Sequence, residues 1–215
     1  DYINYLACYG IKTQKIIMDL DLLLNKIMGF LRQHESMDTD KEEIIRYGLE
    51  ICILKALFTI FTIIIGILIH SFFECVVFLV FFSFLRSNAG GYHADTRLKC
   101  FFESMLSYVA VIAILNIVYC CLYSMLTIFL VTLLSSVLIW NYAPVDTHNK
   151  SLDENDRKYL AVKTKIILWV EIAIALIAFI FMANKIACSS MLAITLTAIL
   201  LLMGMAKNER QDRVE

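Results

Sequence analysis

A histidine and a cysteine seven residues apart, His93 and Cys100, stand in the polar stretch Arg86-Ser-Asn-Ala-Gly-Gly-Tyr-His-Ala-Asp-Thr-Arg-Leu-Lys-Cys100, between two long apolar runs. A thiolate is a nucleophile, and an imidazole can accept a proton and return it to a leaving amine. The pair therefore has the makings of covalent acyl-transfer chemistry. Arg97 and Lys99 immediately before Cys100, with Arg86 nearby, favour the reactive thiolate. The spacing imposes a condition: on one continuous helix the two side chains would share a face but stand about 10 Å apart along the axis, too far to bond. The chain between them must bend. Gly90-Gly91 supplies the backbone freedom, and Asp95 or Thr96 can cap a helix that starts just afterwards. Asn88, Asp95 and Glu103 are candidates to orient the imidazole, and the sequence does not choose among them. Glu103 is explained more simply as an interfacial carboxylate paired with Lys99 or Arg97. The plain alternative for the whole stretch is a glycine turn carrying an incidental histidine and cysteine.

The elements that would have to position this pair are helices in lipid. The chain is 60% hydrophobic, with one proline in 215 residues and a strongly positive mean hydropathy, which excludes an ordinary soluble domain. Between Glu103 and Asp146 run 42 uncharged residues. As one helix they would extend about 63 Å, twice the hydrocarbon thickness, so they must fold back as a hairpin near Cys120-Cys121. Backbone groups that find no water in lipid require helix. We expect an all-α integral membrane protein with about six transmembrane helices: Ile51–Ile69, Phe72–Leu85, Phe101–Tyr119, Leu122–Trp140, Ile166–Met182 and Ile186–Met205. The second is short, about 21 Å, and must thin the bilayer, borrow flanking residues or re-enter. Thr39-Asp-Lys-Glu42 reads as a capping box opening the first helix.

Charge tests this arrangement. Seven basic residues precede the first span or begin it, three lie between the second and third, five between the fourth and fifth, and three after the last. The intervening connections hold only Lys185. Basic residues on alternate sides place both termini, His93 and Cys100 at the cytoplasmic face. Ahead of the spans, Ile16, Ile17, Leu20, Leu23, Leu24, Ile27, Met28 and Leu31 recur at helical spacing, with Lys15, Asp19, Lys26 and Arg32 elsewhere on the wheel. That is an amphipathic helix, lying on inner-leaflet lipid or packed on the cytoplasmic loops. The organisation is one membrane domain over 1–215: an amphipathic region 1–38, a bundle 39–206 and a cytoplasmic tail 207–215.

A second polar segment, Tyr142-Ala-Pro-Val-Asp-Thr-His-Asn-Lys150, leads into Asp153, Glu154, Asp156, Arg157, Lys158, Lys163 and Lys165. Such a run beside a membrane is usually a positive-inside anchor, although its mixture of signs suits a charged peptide. His34, His70 and His148 have no cysteine placed to work with them. Seven scattered cysteines without Cys-x-x-Cys give neither a disulfide framework nor a zinc site, so no metal or cofactor is implied. The net charge of −1 gives no reason to expect nucleic acid. No His-Glu-x-x-His, Walker loop or Gly-x-Ser-x-Gly is present, against zinc proteases, nucleotide-driven transporters and serine hydrolases.

Arg86-x-x-Ala-Gly-Gly-Tyr-His-Ala-x-x-x-x-x-Cys100 resembles the signature of the accessory gene regulator protein B family, membrane cysteine endopeptidases that process quorum-sensing propeptides in Gram-positive bacteria. Tyr142-Ala-Pro144, Thr147 and Asn149-Lys150 resemble that family's other recurrent region, with Ser151 where a proline is expected. The resemblance implies that Cys100 is the nucleophile and His93 its base and acid. It implies a short propeptide substrate with an amphipathic leader and an acidic tail. Removing that tail would leave an acyl-enzyme thioester, which an internal cysteine or serine closes to a thiolactone or lactone. Proximity of the internal nucleophile and exclusion of water would favour the ring over hydrolysis. Lys150, Arg157, Lys158, Lys163 and Lys165 would draw in the acidic tail. Arg86 would orient the loop or favour the thiolate, with Gly90 and Gly91 serving geometry. Backbone N–H groups of the glycine turn or near Cys100 are the available oxyanion donors. The family is also associated with homodimers.

The competing class is a non-catalytic membrane carrier or scaffold for a small solute or peptide. A carrier should show intramembrane polar clusters or broken helices in paired halves. Asn116, Asn141 and Glu171 are isolated, and polar residues concentrate in the loops, which favours the enzyme.

Overall fold

A computed structural model describes residues 21–32, 39–92, 94, 96–118, 122–146 and 153–213, and the described residues are helical apart from turns and one isolated bridge. The helices are α1 (21–32), α2 (Thr39–Leu68), α3 (Phe72–Ala89), α4 (Arg97–Val118), α5 (Leu122–Tyr142), α6 (Glu154–Ile180) and α7 (Asn184–Asp212). Five of them, α2, α3, α4, α5 and α7, are long and apolar enough to cross a membrane. They make the chain a multi-pass membrane protein. The fifth expected span, Ile166–Met182, falls mostly in α6, whose final apolar stretch follows Lys163 and Lys165 and contains Glu171. The uncharged run from Glu103 divides into α4 and α5; Cys120-Cys121, where the break is expected, lies outside the described residues.

The chain divides into two compact units, Asp1–Phe58 and Thr59–Glu215. In the first, 21–32 form α1, with Leu24 and Met28 buried and Leu22, Leu23 and Phe30 exposed; Ile16, Ile17 and Leu20 of the expected amphipathic helix lie outside the described residues. Charges tie it to the opening turns of α2. Arg32 makes two hydrogen bonds to the Glu42 carboxylate, and Arg46 reaches Asp21 and Asn25, each at 3.1 Å. Glu42, the last residue of the expected capping box, pairs with Arg32; the Thr39 side chain that would open the box lies outside the described residues.

In the second unit α7 is the hub, packed against α3, α5 and α6 and more lightly against α4. Its sequence explains this role. Ala187, Cys188, Ser189, Ser190, Ala193, Thr197 and Ala198 are all buried, and small side chains let helices approach closely where lipid supplies no hydrophobic drive. The hydroxyls are satisfied locally: Ser190 and Thr197 donate to carbonyls four residues back, and Ser189 donates across to the Glu74 carbonyl of α3 at 2.6 Å. Leu85, Ile139, Leu168, Ile194 and Ala198 form a core shared by α3, α5, α6 and α7. Glu171 is buried on α6, and neither carboxyl oxygen has a hydrogen-bond partner.

Two boundaries differ from expectation. α3 runs to Ala89 and is 18 residues long, about 27 Å, so the second span is not unusually short. Its last turn absorbs Arg86 to Ala89, because Ser87 and Asn88 turn their side chains back onto the Phe84 carbonyl at 3.1 and 2.6 Å. α7 continues to Asp212, so most of the expected tail is helix, and Lys207 and Asn208 lie on the same rod as the buried core residues.

Candidate active site

Glycine ends α3. Gly90 has φ +70° and Gly91 φ +109°, values that side-chain-bearing residues rarely adopt. The chain leaves the helix and passes between two other elements. Val145 pairs with it as an isolated parallel bridge: Val145 N–H donates to the Ala89 carbonyl at 3.0 Å, and Gly91 N–H donates to the Val145 carbonyl at 3.2 Å. The second polar segment thus lies against the first. On the other side Tyr92 N–H donates to the Leu200 carbonyl of α7 at 2.8 Å. Gly204, one turn further along α7, is in backbone contact with Gly91 and Tyr92. Asn208, one more turn on, donates to the Asp146 carbonyl at 2.7 Å, and the Lys207 ammonium lies over the Tyr92 ring at 5.4 Å. Two pieces of chain, distant in sequence, close around one turn.

Beyond the turn α4 starts at Arg97. Thr96 caps it, accepting from Lys99 N–H at 3.3 Å, which is one of the two caps the sequence offers. Cys100 closes the first turn, its N–H donating to the Thr96 carbonyl at 3.0 Å, while Ser104 donates to the Cys100 carbonyl at 2.8 Å. The free thiol is half-buried, at a helix start where the backbone favours negative charge. Described residues 90–92, 94 and 96 are non-helical, so α3 and α4 are not one continuous helix. His93 and Asp95 lie outside the described residues.

Arg86 belongs to the last turn of α3. One guanidinium nitrogen, Nη2, donates to the Tyr92 carbonyl, a charge-assisted bond of about 1.5–3 kcal/mol. The other, Nη1, is buried without a hydrogen-bond partner and packs against Gly91, where a Cβ would come within 3.0 Å of it. A buried unsatisfied donor costs about 1–3 kcal/mol, more when charged. The guanidinium is also within electrostatic reach of Cys100.

The remaining candidates divide. Asn88 is buried, but its amide nitrogen is spent on α3 itself. Glu103 is half-buried one turn beyond Cys100. Gly90 N–H donates to the Arg86 carbonyl at 3.3 Å, so of the oxyanion donors expected in the glycine turn or near Cys100, the N–H groups of Gly90, Gly91 and Cys100 itself are engaged. Among the basic residues, Lys165 sits over the Trp140 ring at 4.6 Å and Lys163 over Tyr159 at 5.7 Å. Lys158 faces Glu154 at 3.8 Å on the surface, Arg157 is exposed, and Lys150 lies outside the described residues. No cluster able to hold a metal occurs among the described residues. Sequence reasoning placed the helix α7 but missed its part in the site: Gly204, Lys207 and Asn208 carry no motif, and only a glycine late in an apolar helix hinted at a close approach.

The chain is similar to known proteins. A putative AgrB-like protein of Clostridium perfringens strain SM101 is 27% identical over 128 residues, 56% of this chain and 58% of the relative. Protein FsrB of Enterococcus faecalis strain OG1RF is 25% identical over 185 residues, 86% of this chain and 73% of the relative. The match thus spans little more than half the length of the Clostridium protein. No solved structure matches the chain. The model of the accessory gene regulator B family matches residues 24–201, a stretch that holds both polar segments and most of α7, and the chain belongs to that family.

Proposed function

We propose that this chain is a membrane cysteine endopeptidase that cuts the acidic C-terminal tail from a short quorum-sensing propeptide and promotes its cyclisation. The observation that carries the reading is the half-buried Cys100 thiol in the capped first turn of α4, within electrostatic reach of the Arg86 guanidinium. In this mechanism His93 takes the thiol proton, and the Cys100 thiolate attacks the scissile carbonyl. His93 then protonates the departing amine as the C–N bond breaks. The signal segment remains as a thioester until a cysteine or serine of the substrate attacks it and closes a thiolactone or lactone, releasing Cys100. Holding that internal nucleophile close favours the ring over hydrolysis.

The site works from the cytoplasmic face of a single membrane domain. Both termini are on that side, α6 completes six spans, and the substrate's amphipathic leader lies on inner-leaflet lipid. Asp95 and Glu103 are the carboxylates available to orient His93. Arg157, Lys158 and Lys163 on the first turns of α6, with Lys150 before them, attract the acidic tail. Lys165 is more a Trp140 partner than a free cation. The active unit is a homodimer.

Co-expression with a candidate propeptide tests this. Tail release should vanish in Cys100→Ala and His93→Ala, and undiminished cleavage in Cys100→Ala sinks the mechanism. Release of a linear product alone would keep the protease and reject the cyclising step. A membrane carrier is the second reading, and buried, unpartnered Glu171 is the observation that favours it.

A further inference from the structure

The structure leaves one question of this chemistry open: what stabilises the oxyanion when the thiolate attacks. Among the described residues, four backbone donors of this stretch are already engaged. Gly90 N–H goes to the Arg86 carbonyl, Gly91 N–H to the Val145 carbonyl, Tyr92 N–H to the Leu200 carbonyl, and Cys100 N–H to the Thr96 carbonyl. Against this, Arg86 presents a buried Nη1 with no acceptor. Its direction is set, because Nη2 is tied to the Tyr92 carbonyl and Gly91 leaves no room on the other side of Nη1.

We propose that Arg86 is a catalytic residue whose Nη1–H group donates to the substrate carbonyl oxygen as Cys100 attacks it. The inference rests on the reading of Cys100 as the nucleophile. In the step, the Cys100 sulfur pair forms the S–C bond and the carbonyl π pair moves onto oxygen. Nη1–H hydrogen-bonds that oxyanion without surrendering its proton. Collapse restores the C=O, the C–N bond breaks, and the leaving nitrogen takes its proton from the His93 imidazolium. A donor fixed before reaction, in a site shielded from water, stabilises the developing charge without reorganising. The orphaned Nη1 is thereby explained: its acceptor arrives with the substrate.

A guanidinium that merely favoured the thiolate would accelerate every reaction of Cys100 alike, whereas an oxyanion donor accelerates acyl transfer only. Two small probes separate these roles. Iodoacetamide alkylates sulfur by displacement and forms no oxyanion, whereas p-nitrophenyl acetate acylates through a tetrahedral oxyanion. The full chain in phosphatidylglycerol–phosphatidylethanolamine vesicles is treated with each, and modification of the Cys100 peptide is followed by mass spectrometry. The buried Cys75 and Cys188 report on folding. Arg86→Gln should slow acylation by about 100-fold or more while alkylation changes by no more than roughly 3-fold. Added guanidinium ion should restore part of the acylation rate in Arg86→Ala. Parallel loss with both probes, or loss with neither, overturns the proposal. If Arg86→Gln exposes Cys75 and Cys188, then Arg86→Lys decides: its acylation-to-alkylation ratio should fall about 10-fold, and an unchanged ratio overturns the proposal. Acylation of Cys100 that survives His93→Ala undiminished removes the protease reading itself, whereas an Arg86-independent ratio removes only this inference.

Discussion

Gly204 of α7 and Gly91 of the turn after α3 meet backbone to backbone: a Cβ on Gly204 would lie 2.5 Å from the Gly91 carbonyl carbon and 2.5 Å from the Tyr92 nitrogen. No side chain can yield there, because the atoms in the way are main chain. The residue preceding His93 is therefore held by a helix more than a hundred positions away.

The first prediction follows directly. Gly204→Ala should reduce propeptide cleavage at least 100-fold and lower stability by about 1–3 kcal/mol, the usual range for overpacking. Cleavage assays and thermal melting in detergent check this. Wild-type cleavage in a folded variant would show that the turn can move aside without consequence.

Glycine substitutions elsewhere should behave differently. At Gly90, φ +70° and a Val145 carbonyl oxygen 2.2 Å from the added Cβ make Gly90→Ala as damaging as Gly204→Ala. At Gly48, mid-helix in α2 with nothing within 4 Å, Ala should stabilise by about 0.5–1 kcal/mol. Melting of the two variants side by side should show shifts of opposite sign.

Glu171 separates the enzyme from the carrier. Its two buried oxygens lack partners, so Glu171→Leu should raise the melting temperature and leave tail release within about twofold of wild type, a buried polar group without hydrogen bonds being costly. A folded Glu171→Leu chain that loses all function would instead mark the carboxyl as part of a membrane-interior pathway.

The basic residues should separate by environment. Arg157→Gln and Lys158→Gln, both at exposed positions, should raise KM for an acidic-tailed propeptide by a few-fold at low salt, and the difference should vanish near 0.5 M salt as charges are screened. Lys165→Gln loses its place over Trp140 and should cost stability instead, by about 0.5–1 kcal/mol.

Local chemistry made part of this site readable in sequence. Thr96 caps α4 and Gly90-Gly91 breaks α3 because those residue types have few other uses in an apolar chain, and Cys100 falls in a helix's first turn as that cap requires. The helices α2 to α5 and α7 could be read from hydropathy. α6 could be read only in its apolar part, Ile166–Met182, because charged residues fill its first turns, from Glu154 to Lys165. The contribution of α7 to the site was invisible, since Leu200 enters through a carbonyl and Gly204 through a missing side chain. The engagement of the Gly91 N–H depends likewise on Val145, a valine no pattern distinguishes. Tertiary pairing of main chain leaves little trace in one sequence.

The shared turn also limits how this chain can be recombined with its relatives. Residues 89–92 bond to Val145 and Leu200, and Asp146 bonds to Asn208, so the pieces do not form separable modules. A hybrid importing only the first polar segment would seat a foreign turn on a resident helix unsuited to it. Residues 86–92, 143–146 and 200–208 would have to travel together, and specificity differences between relatives are best mapped with grafts cut at those limits.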